Sequence, residues 1–389
     1  MNKDQSLVQD AVTAVNESTL SYCKFLSAND TGDTGAHQSG IYVAKNAYRI
    51  LFDKEGIRGE NKDKYVKIRW QNDFFTDSRF IYYGSGTRNE YRITRFGRGF
   101  PFLTQDHTGD LFVLVQRTHE DYDAFVLETE DDIDGFLDSF GMSPAETNSI
   151  IQTEGIDVNS KIDSLIQQFI SQLNVDFPAS SLMSSTARNI VSAIYGNQSK
   201  SRPDRQLIEW IEMEYNLFRQ IEMARYSDML NKGFDSVEEF VRIANKVLNR
   251  RKSRAGKSLE NHLAAAFTDN DILFEEQCKT EGNKQPDFIF PDCNSYHNQN
   301  FPTERLVFLG AKTTCKDRWR QIINEADRIP CKHLFTLQQG VSSRQIDEML
   351  SERITLVVPA PYLSAFPPEK RKSILTLKQF MGLVKSKSL

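Results

Sequence analysis

The chain has 389 residues, of which 39% are hydrophobic and 26% charged, and its formal net charge is -5. Because single cores rarely grow past about 250 residues, we expect two or three domains with cores of their own. The acidic balance argues against a surface coated all over with nucleic acid. No apolar run reaches the roughly 18 residues that cross a bilayer, and the first residues lack a signal peptide's apolar core, which predicts a cytoplasmic protein without a membrane partner.

Cysteine usage favours neither disulfides nor structural zinc. The chain has five cysteines, an odd number, at positions 23, 278, 293, 315 and 331. They form no CxxC pair, and no histidine stands at zinc-finger spacing from them.

The first half is predicted to be mostly strand between two helical stretches. The segments YVKIRW, RFIYYG, DLFVLVQ and DAFVLE are short, aromatic and β-branched, and Gly, Asn and Asp separate them. This pattern favours a small antiparallel barrel or sandwich. The helical spacing of SKIDSLIQQFISQL, followed by the proline and serines of NVDFPASSLMSS, places a domain boundary after residue 174. We therefore predict domains at 1–174 and 175–389.

The second half alternates helices and strands. Two long amphipathic segments, RQLIEWIEMEYNLFRQIEMARYSDML and SVEEFVRIANKVLNRR, predict helices, and the second begins with a capping box of Ser236 and Glu239. The strand-like segments DFIFP, RLVFLGAK, HLFTL and TLVVP follow, with predicted helices DRWRQIINEADRI and SSRQIDEML between the last three. The alternation predicts an α/β layer with a largely buried sheet.

Two basic runs interrupt the acidic chain. KVLNRRKSRAGK, from Lys246 to Lys257, carries six cations and no acid, and RNEYRITRFGR, from Arg88 to Arg98, carries four arginines and one glutamate. Each run alone is typical of a solvated face. Together they indicate DNA as a partner.

A cluster of acids and a lysine predicts metal-assisted hydrolysis of phosphodiesters. Asp287, after Pro286, opens the strand DFIFP, and Lys312 ends the strand RLVFLGAK. A proline-aspartate followed by a strand ending in acid-x-lysine is the signature of PD-(D/E)XK nucleases, which use the acids to hold divalent cations. Here Gly310 stands in the usual acid position.

Glu325 is the candidate substitute for the missing acid. It lies thirteen residues after Lys312, on the predicted helix DRWRQIINEADRI, and Glu260 on the upstream helix GKSLENHL could hold a second ion. The spacing alone is more typical of a surface glutamate and a solvated lysine than of a nuclease site.

Several long strings resemble the EcoRII-type restriction endonucleases. They are GFDSVEEFVRIANKVLNRRKSRAGKSLE, TEGNKQPDFIFP and KTTCKDRWRQIINEAD in the second half, and LSANDTGDTGAHQSGIYV and TRNEYRITRFGRG in the first. The resemblance implies a mostly-β DNA-binding pseudobarrel, like those of plant transcription factors, and a C-terminal α/β restriction-endonuclease-like domain with a central mixed sheet. It also implies a permuted active site of Asp287, Lys312 and Glu325 with Glu260 as the upstream acid.

The same resemblance implies a substrate and partners. The substrate is double-stranded DNA with CC and GG flanking a central base pair, cut in a staggered manner with Mg²⁺ as cofactor. A near-palindromic site is matched by a homodimer, in which each catalytic half cuts one strand. The N-terminal domain would bind a further copy of the site as an effector and cover the catalytic cleft when empty. A companion DNA methyltransferase would act on the same site without binding this chain.

The tripeptide Lys316-Asp317-Arg318 is the candidate for reading bases. An aspartate can accept from cytosine N4, and lysine or arginine can donate to guanine O6 and N7. The resemblance assigns the tripeptide this role, and helix capping by Asp317 is the alternative.

The resemblance also implies that the central base pair is flipped into pockets. Trp210 and Tyr296 are the candidate stacking platforms. Ile211 stands where the family relative has a pocket arginine, which is a departure that bears on the central base.

In the N-terminal half, DTGDTG does not indicate an aspartic protease, because Asp30 and Asp33 share one loop instead of two lobes. The loop and the arginine-rich run are instead predicted to contact DNA. The candidate residues are Asn29, Thr31, Thr34, His37, Arg88, Asn89, Glu90, Arg92, Arg95 and Arg98.

Two rival functions belong to other classes. One is a DNA-binding protein with an inactive nuclease domain, against which the intact acids argue. The other is a structure-specific repair nuclease, which would lack a base-reading tripeptide.

Overall fold

The computed structural model describes residues 6–32, 40–151 and 160–388. In the first half, helix α1 (Leu7–Asn16) precedes the strands of one sheet, and α2 (Glu130–Phe140) follows its seventh strand. The strands are β1 (Ser21–Phe25), β2 (Ile41–Val43), β3 (Lys62–Trp70), β4 (Phe74–Tyr83), β5 (Glu90–Thr94), β6 (Leu111–Gln116), β7 (Asp121–Leu127) and β8 (Ser149–Ile150).

The first sheet is mainly antiparallel, with the order β2-β5-β4-β3-β7-β6-β1-β8 and one parallel pair, β3 with β7. Side chains alternate between two cores. Tyr22 of β1 joins the aromatic cluster around Trp70, whereas Cys23 joins the cluster under α1 and α2 that includes Phe136. Period-two alternation therefore buries both faces of the inner strands. The four predicted strands are confirmed as β3, β4, β6 and β7.

The second half begins with four helices, α3 (Ser160–Ser171), α4 (Ser180–Tyr195), α5 (Pro203–Lys232) and α6 (Val237–Asp269). A sheet with two short helices and a terminal one follows: β9 (Glu275–Glu276), β10 (Phe288–Phe290), α7 (Cys293–His297), β11 (Val307–Lys312), β12 (Lys332–Thr336), α8 (Ser343–Ser351), β13 (Ile354–Val358), β14 (Leu375–Thr376) and α9 (Leu377–Ser388).

This second sheet is mixed, as the resemblance implies. Its order is β14-β13-β12-β11-β10-β9. The strands β11 to β14 pair in parallel, whereas β10 pairs antiparallel with both β9 and β11. The four strand-like segments of this half are confirmed as β10, β11, β12 and β13. No helix in the described ranges is both long and apolar enough to span a membrane.

The change of core falls earlier than residue 174. Ile166 of α3 belongs to the hydrophobic cluster of the second half, and Phe169 packs against it. The first sheet ends at Ile150. Helix α3, assigned to the first domain by the predicted boundary, thus packs with the second because its apolar face is buried there.

Helix α6 is longer than predicted. Ser236 accepts a hydrogen bond from the Glu239 amide at 3.1 Å, and the Glu239 carboxylate accepts one from the Asp235 amide at 3.1 Å, so the capping residues do begin the helix. From there α6 continues without a break through the basic run to Asp269. Glu260 therefore lies on the same helix as the basic run.

Two predictions are wrong. The segment DRWRQIINEADRI is a short 3-10 helix, Arg318–Ile322, followed by turns. The carbonyls of Ile323 and Asn324, which an α-helix would pair with amides, accept instead from the ammonium groups of Lys332 and Lys284.

The other wrong prediction is the absence of disulfides. Cys278, just after β9, and Cys293, the first residue of α7, are joined by a disulfide. Their separation of 15 residues in sequence gives no CxxC signal.

Candidate active site

The antiparallel pairing of β10 with β11 positions the first two candidate catalytic residues. Asp287 immediately precedes β10 and is only 9% exposed. Its Oδ2 accepts a hydrogen bond from the Ala311 amide at 2.8 Å and lies 3.4 Å from the Lys312 Nζ. The strand pair therefore holds a carboxylate and an ammonium group together, as the sequence predicts.

The packing around Gly310 explains why no acidic side chain stands at the usual position of the second acid. A Cβ built on Gly310 would lie 2.9 Å from Ile322 Cγ2, closer than real Cβ contacts allow. Ile322 is fully buried at the end of the 3-10 helix that follows β11. The space that an acidic side chain would need is thus filled by the segment that carries Glu325.

Glu325 lies close enough to Asp287 and Lys312 for their charges to shift its pKa. Burial and the Asp287 carboxylate raise the pKa of Glu325 above its ordinary value, while Lys312 and two further lysines, Lys284 and Lys332, oppose the rise. The structure thus brings Glu325 to the electrostatic neighbourhood of Asp287 and Lys312, although it lies in a turn and not on the predicted helix.

Glu260 is linked to Asp287 through Gln277. The Gln277 amide nitrogen lies 3.4 Å from Glu260 Oε2 and 3.5 Å from Asp287 Oδ1. Lys257, one turn earlier on α6, donates to Glu260 at 2.6 Å. The neighbouring Glu276 has a pKa raised by burial and by Glu260. The upstream acid therefore belongs to the same site.

The acids fit a hard divalent cation by the chemistry of their donors. Carboxylate oxygens are the ligands that Mg²⁺ prefers, and the repulsion that raises the pKa of Glu325 is one that a bound cation relieves. Among the described residues, however, the oxygens of Asp287, Glu325 and Glu260 do not all lie within 4.8 Å of one another. Binding would draw the carboxylates together.

Helix α2 of the first half covers this site. A cavity of about 240 Å³ lies between α2 and the candidate active site. Its lining includes Asp134 and Asp138 of α2 together with Glu260, Lys312 and Arg318. A cavity of this volume is too small to hold a DNA duplex, since the major groove of a duplex is by itself ~12 Å wide.

Two cations of the base-reading tripeptide are paired with acids of the first half. Lys316 donates to Asp110, and the Arg318 guanidinium contacts Asp134 at 2.8 Å and Glu130 at 3.4 Å. Asp110 and Glu130 are buried, so these ion pairs are shielded from water. The side chains predicted to read bases are thus engaged by carboxylates.

The backbone of the tripeptide is held in the same way. One Glu130 oxygen accepts from the amides of Asp317 and Arg318 at 2.8 and 2.9 Å. The Asp317 side chain makes no capping hydrogen bond and is exposed, so the alternative role in capping is wrong.

The basic run on α6 is divided: its three lysines are exposed, whereas its three arginines are wholly or partly buried. Arg251 pairs with Glu222 at 2.7 Å and donates to the carbonyls of Asp138 and Ser139. Arg254 is 5% exposed and pairs with the buried Glu214 at 3.5 Å. The run therefore does not form the continuous DNA-facing surface that its sequence indicates.

Neither proposed stacking residue has an open face in this conformation. Trp210 is 1% exposed and stacks on His262, with ring centroids 5.9 Å apart. Tyr296 is 2% exposed, and its hydroxyl donates to Glu281 at 2.7 Å. Ile211 lies in the same hydrophobic core. Core packing therefore covers the two rings on which a flipped base is predicted to stack.

The glycine-rich loop of the first half is described in part. Thr34 and His37 lie outside the described residues. Asn29 is half-buried, whereas Thr31 is buried with its hydroxyl 2.6 Å from that of Thr108. The Thr31 hydroxyl stabilises the loop and is not accessible in this conformation, and its contact with DNA stays a prediction.

The arginine-rich run divides into buried and exposed members. Arg92 is buried in β5 and pairs with Glu90 at 3.2 Å, so neither is free to read a base in this conformation. Arg88, Arg95 and Arg98 are exposed.

Aromatic rings support two of these arginines. The Arg88 and Arg95 guanidinium groups lie over the rings of Tyr83 and Tyr65, at 5.1 and 5.3 Å from the ring centroids. Asn89 accepts from the Tyr82 hydroxyl at 2.9 Å. The exposed arginines are the ones placed to meet a DNA backbone.

Sequence reasoning missed the residues that link the parts of the site. Gln277, between Glu260 and Asp287, follows a pair of glutamates in a short strand and carries no recognisable signal. Glu130 and Asp134 do carry one, because they belong to the acidic string ETEDDID, which is opposite in charge to the tripeptide.

Two family models match the chain. "Restriction endonuclease EcoRII, N-terminal" matches residues 15–147, and "EcoRII C terminal" matches residues 218–381. The chain is thus a type II restriction endonuclease, a site-specific deoxyribonuclease.

The similarity to a curated relative extends over nearly the whole length of the chain and shows its family. The type II restriction enzyme EcoRII of Escherichia coli is 37% identical over an alignment of 389 positions, which covers 94% of this chain and 94% of the relative. The chain belongs to the EcoRII family of restriction endonucleases.

Two solved structures are similar to parts of the chain. Metal-depleted Ecl18kI in complex with uncleaved, modified DNA has a TM-score of 0.47 and 18% identity, covering 58% of this chain and 83% of that one. A complex of the restriction endonuclease PspGI with substrate DNA has a TM-score of 0.44 and 14% identity, covering 54% of this chain and 94% of that one.

Replacing Gly310 tests the packing that empties the acid position. We expect Gly310→Ala to lower the free energy of unfolding by about 1–3 kcal/mol, because the added methyl overlaps Ile322. Gly256→Ala is the matched control: its Cβ meets open space within α6, so alanine should be neutral or stabilise by up to ~1 kcal/mol. Urea unfolding measures both, and equal midpoints for the two variants would contradict the packing described.

Proposed function

We propose that the chain hydrolyses phosphodiester bonds of double-stranded DNA at a short site with CC and GG around a central base pair, making staggered cuts with Mg²⁺. The observation that carries the proposal is the contact of Asp287 with Ala311 and Lys312, with Glu325 in the electrostatic range of both. The family resemblance supplies the form of the site.

Asp287 and Glu325 would hold Mg²⁺, and Glu260 would support a second ion. When bound, the cation supplies Lewis-acid activation of the phosphodiester and a more acidic water. Gln277 holds Glu260 and Asp287 on a common hydrogen-bond donor, which keeps their carboxylates oriented.

Lys312 acts through its charge. Its ammonium group lies at the end of β11, half-buried, 3.4 Å from Asp287. A lysine held there would orient the attacking water and stabilise the negative charge that develops on the phosphorane-like transition state.

The first half would act as an effector-binding domain that covers the catalytic cleft. Glu130, Asp134 and Asp110 engage the cations of Lys316 and Arg318, the residues assigned to guanine. Cognate DNA in the cleft has to displace these carboxylates. DNA bound by the exposed Arg88, Arg95 and Arg98 would favour that displacement.

A homodimer would place two active sites on a two-strand substrate, and an apolar face of α6 offers a surface for it. Val237, Val241, Ala244 and Leu248 follow the steps 4, 3 and 4 of a coiled-coil seam. Val237, Val241 and Leu248 are 73%, 47% and 42% exposed. We call these four residues the α6 seam.

The charges around the α6 seam favour a second copy of the chain as the occupant. Glu238 and Glu239 lie at its start, and Lys246 and Arg250 lie at its end. An antiparallel pair of such helices sets the acids of one against the bases of the other. A groove of about 710 Å³ between α5 and α6, whose lining includes Ala244 and Leu248 of the seam and also Phe240, continues this apolar surface.

Cleavage of defined DNA tests the proposed function. Duplexes carrying CC and GG around each of the four central base pairs, and a fork without the site, are incubated with the protein and Mg²⁺, and the cut ends are mapped. Staggered cuts within the site are expected. Cutting at forks regardless of sequence would instead favour a repair nuclease, and no cleavage of any duplex would favour a DNA-binding protein with an inactive nuclease domain.

Lys312→Ala tests the assigned catalytic residue. Losing its charge should slow single-turnover cleavage by about 100-fold or more, while site binding stays within a few-fold. Lys372→Ala, at an exposed lysine, is the control and should cut normally. Normal cutting by Lys312→Ala would show that Lys312 takes no part in the proposed mechanism.

A double variant, Glu130→Gln with Asp134→Asn, tests the cover over the cleft. Without these carboxylate charges, Lys316 and Arg318 are held less tightly, so single-site DNA should be cut several-fold faster than by the unaltered protein. Asp131→Asn changes a neighbour that is 92% exposed and 3.7 Å from Arg318, and should leave the rate unchanged. Equal rates for all three proteins would contradict the covering role.

Val241→Asp tests the α6 seam. A charge in an apolar interface is costly to bury, so the variant should sediment as a monomer at concentrations where the unaltered protein is a dimer. Leu273→Asp, at a residue 73% exposed outside the seam, is the matched control and should remain dimeric. A dimeric Val241→Asp variant would move the interface elsewhere.

A further inference from the structure

Cys278, Cys293 and His297 meet beside the active-site strand β10. Cys278 lies just after β9, and Cys293 and His297 are the first and last residues of α7. The two sulfurs form the disulfide, and a ring nitrogen of His297 lies within 4.8 Å of both. Cys278 is 3% exposed and Cys293 is half-buried.

The hydrogen bond of His297 prepares its ring as a ligand. Its Nε2 lies 3.0 Å from the Lys279 carbonyl oxygen, which can only accept, so Nε2 carries the proton. In the neutral ring the lone pair is then on Nδ1. Metal-binding histidines commonly donate their other N–H to a backbone carbonyl in this way. The i, i+4 spacing of Cys293 and His297 also places both on one face of a helical turn.

We propose that the reduced form of this cluster binds a thiophilic divalent cation such as Zn²⁺ through Cys278 Sγ, Cys293 Sγ and His297 Nδ1. Zinc takes thiolate and imidazole ligands in tetrahedral sites. Because His297 is exposed, water can supply the fourth ligand. This site differs in chemistry from the carboxylates of Asp287, Glu325 and Glu260, which suit a hard cation.

The disulfide and the metal site exclude each other. A phosphine reductant and one water convert the disulfide into two thiols, and the phosphine becomes its oxide. A divalent cation then displaces one proton from each thiol as it binds the two thiolates. Oxidation state therefore decides whether the cluster can take a metal.

The cluster spans the segment that carries Asp287. Cys278 precedes it and Cys293 follows it, and Gln277, which contacts Glu260 and Asp287, is adjacent to Cys278. A metal bound to the three side chains would close the same loop as the disulfide does. It would thereby keep Gln277 and Asp287 in place under reducing conditions.

Cobalt binding tests the proposal without relying on DNA cleavage. Co²⁺ replaces Zn²⁺ in such sites, and thiolate ligands give it a charge-transfer absorption in the near ultraviolet. The full-length oxidised protein should show no such band, and the same protein reduced with a phosphine should bind one Co²⁺ per cluster with the band, which Zn²⁺ then abolishes by displacement. Since no residue is changed, folding of a variant does not enter this comparison.

Variants assign the ligands. Cys278→Ser and Cys293→Ser should each lose the band, and His297→Ala should weaken Co²⁺ binding at least tenfold. Cys331→Ser, at an exposed free cysteine, is the matched control and should keep the band. A reduced protein without the band, or a band that survives both Cys278→Ser and Cys293→Ser, would overturn the proposal, whatever the result for DNA cleavage.

Discussion

The hydrogen bond from the Ala311 amide to Asp287 is the contact on which the proposed site depends, because it holds the Asp287 carboxylate against the neighbouring strand. The antiparallel register, with Phe288 opposite Leu309, sets that contact and also places Lys312 within 3.4 Å of Asp287. A slip of one residue would turn Lys312 to the other face of the sheet. The chemistry therefore follows from strand pairing between largely apolar residues.

The same strand explains the location of the second acid. Gly310 has no side chain to offer, and Ile322 occupies the space beside it. The chain that follows Ile322 brings Glu325 back toward Asp287, and burial together with the charge of Asp287 raises the pKa of Glu325. In the proposed site Glu325 takes the place of the acid that is absent at Gly310, where the buried Ile322 fills the space beside the glycine.

Charge also connects the two halves of the molecule. The tripeptide cations face carboxylates of α2 and of the loop before β6, and two of these acids, Glu130 and Asp110, are buried. Carboxylates and DNA compete for the same donors, since both present anionic or lone-pair oxygens. Breaking buried ion pairs costs several kcal/mol unless new partners replace them, so under the proposed function DNA that enters the cleft has to offer such partners.

The sequence predicts the regular elements well where their apolar residues alternate or repeat. The strands around Trp70 and Phe308, and helices α5 and α8, follow directly from period and capping. Asp287 and Lys312 were also predictable, because the strand ends that carry them are evident. The family resemblance added Glu325, which spacing alone left open.

Other features depend on partners that are distant in the chain. The segment that begins at Asp317 has a helical pattern. Its carbonyls, however, accept hydrogen bonds from Lys284 and Lys332, and its first amide donates to Glu130. Arg251 and Arg254 look like a DNA-binding surface until their buried glutamates are known. The disulfide joins Cys278 to Cys293, 15 residues away, at a spacing that carries no signal in the sequence.

The central claim is that Glu325 replaces the acid missing at Gly310. A crystal structure with a cognate duplex and Ca²⁺, which occupies such sites and commonly does not support cleavage, measures this most directly. The account predicts a cation in the cleft bonded to carboxylate oxygens of both Asp287 and Glu325, with α2 moved away from Lys316 and Arg318. A cation held by Asp287 while Glu325 remains outside the coordination sphere would contradict it.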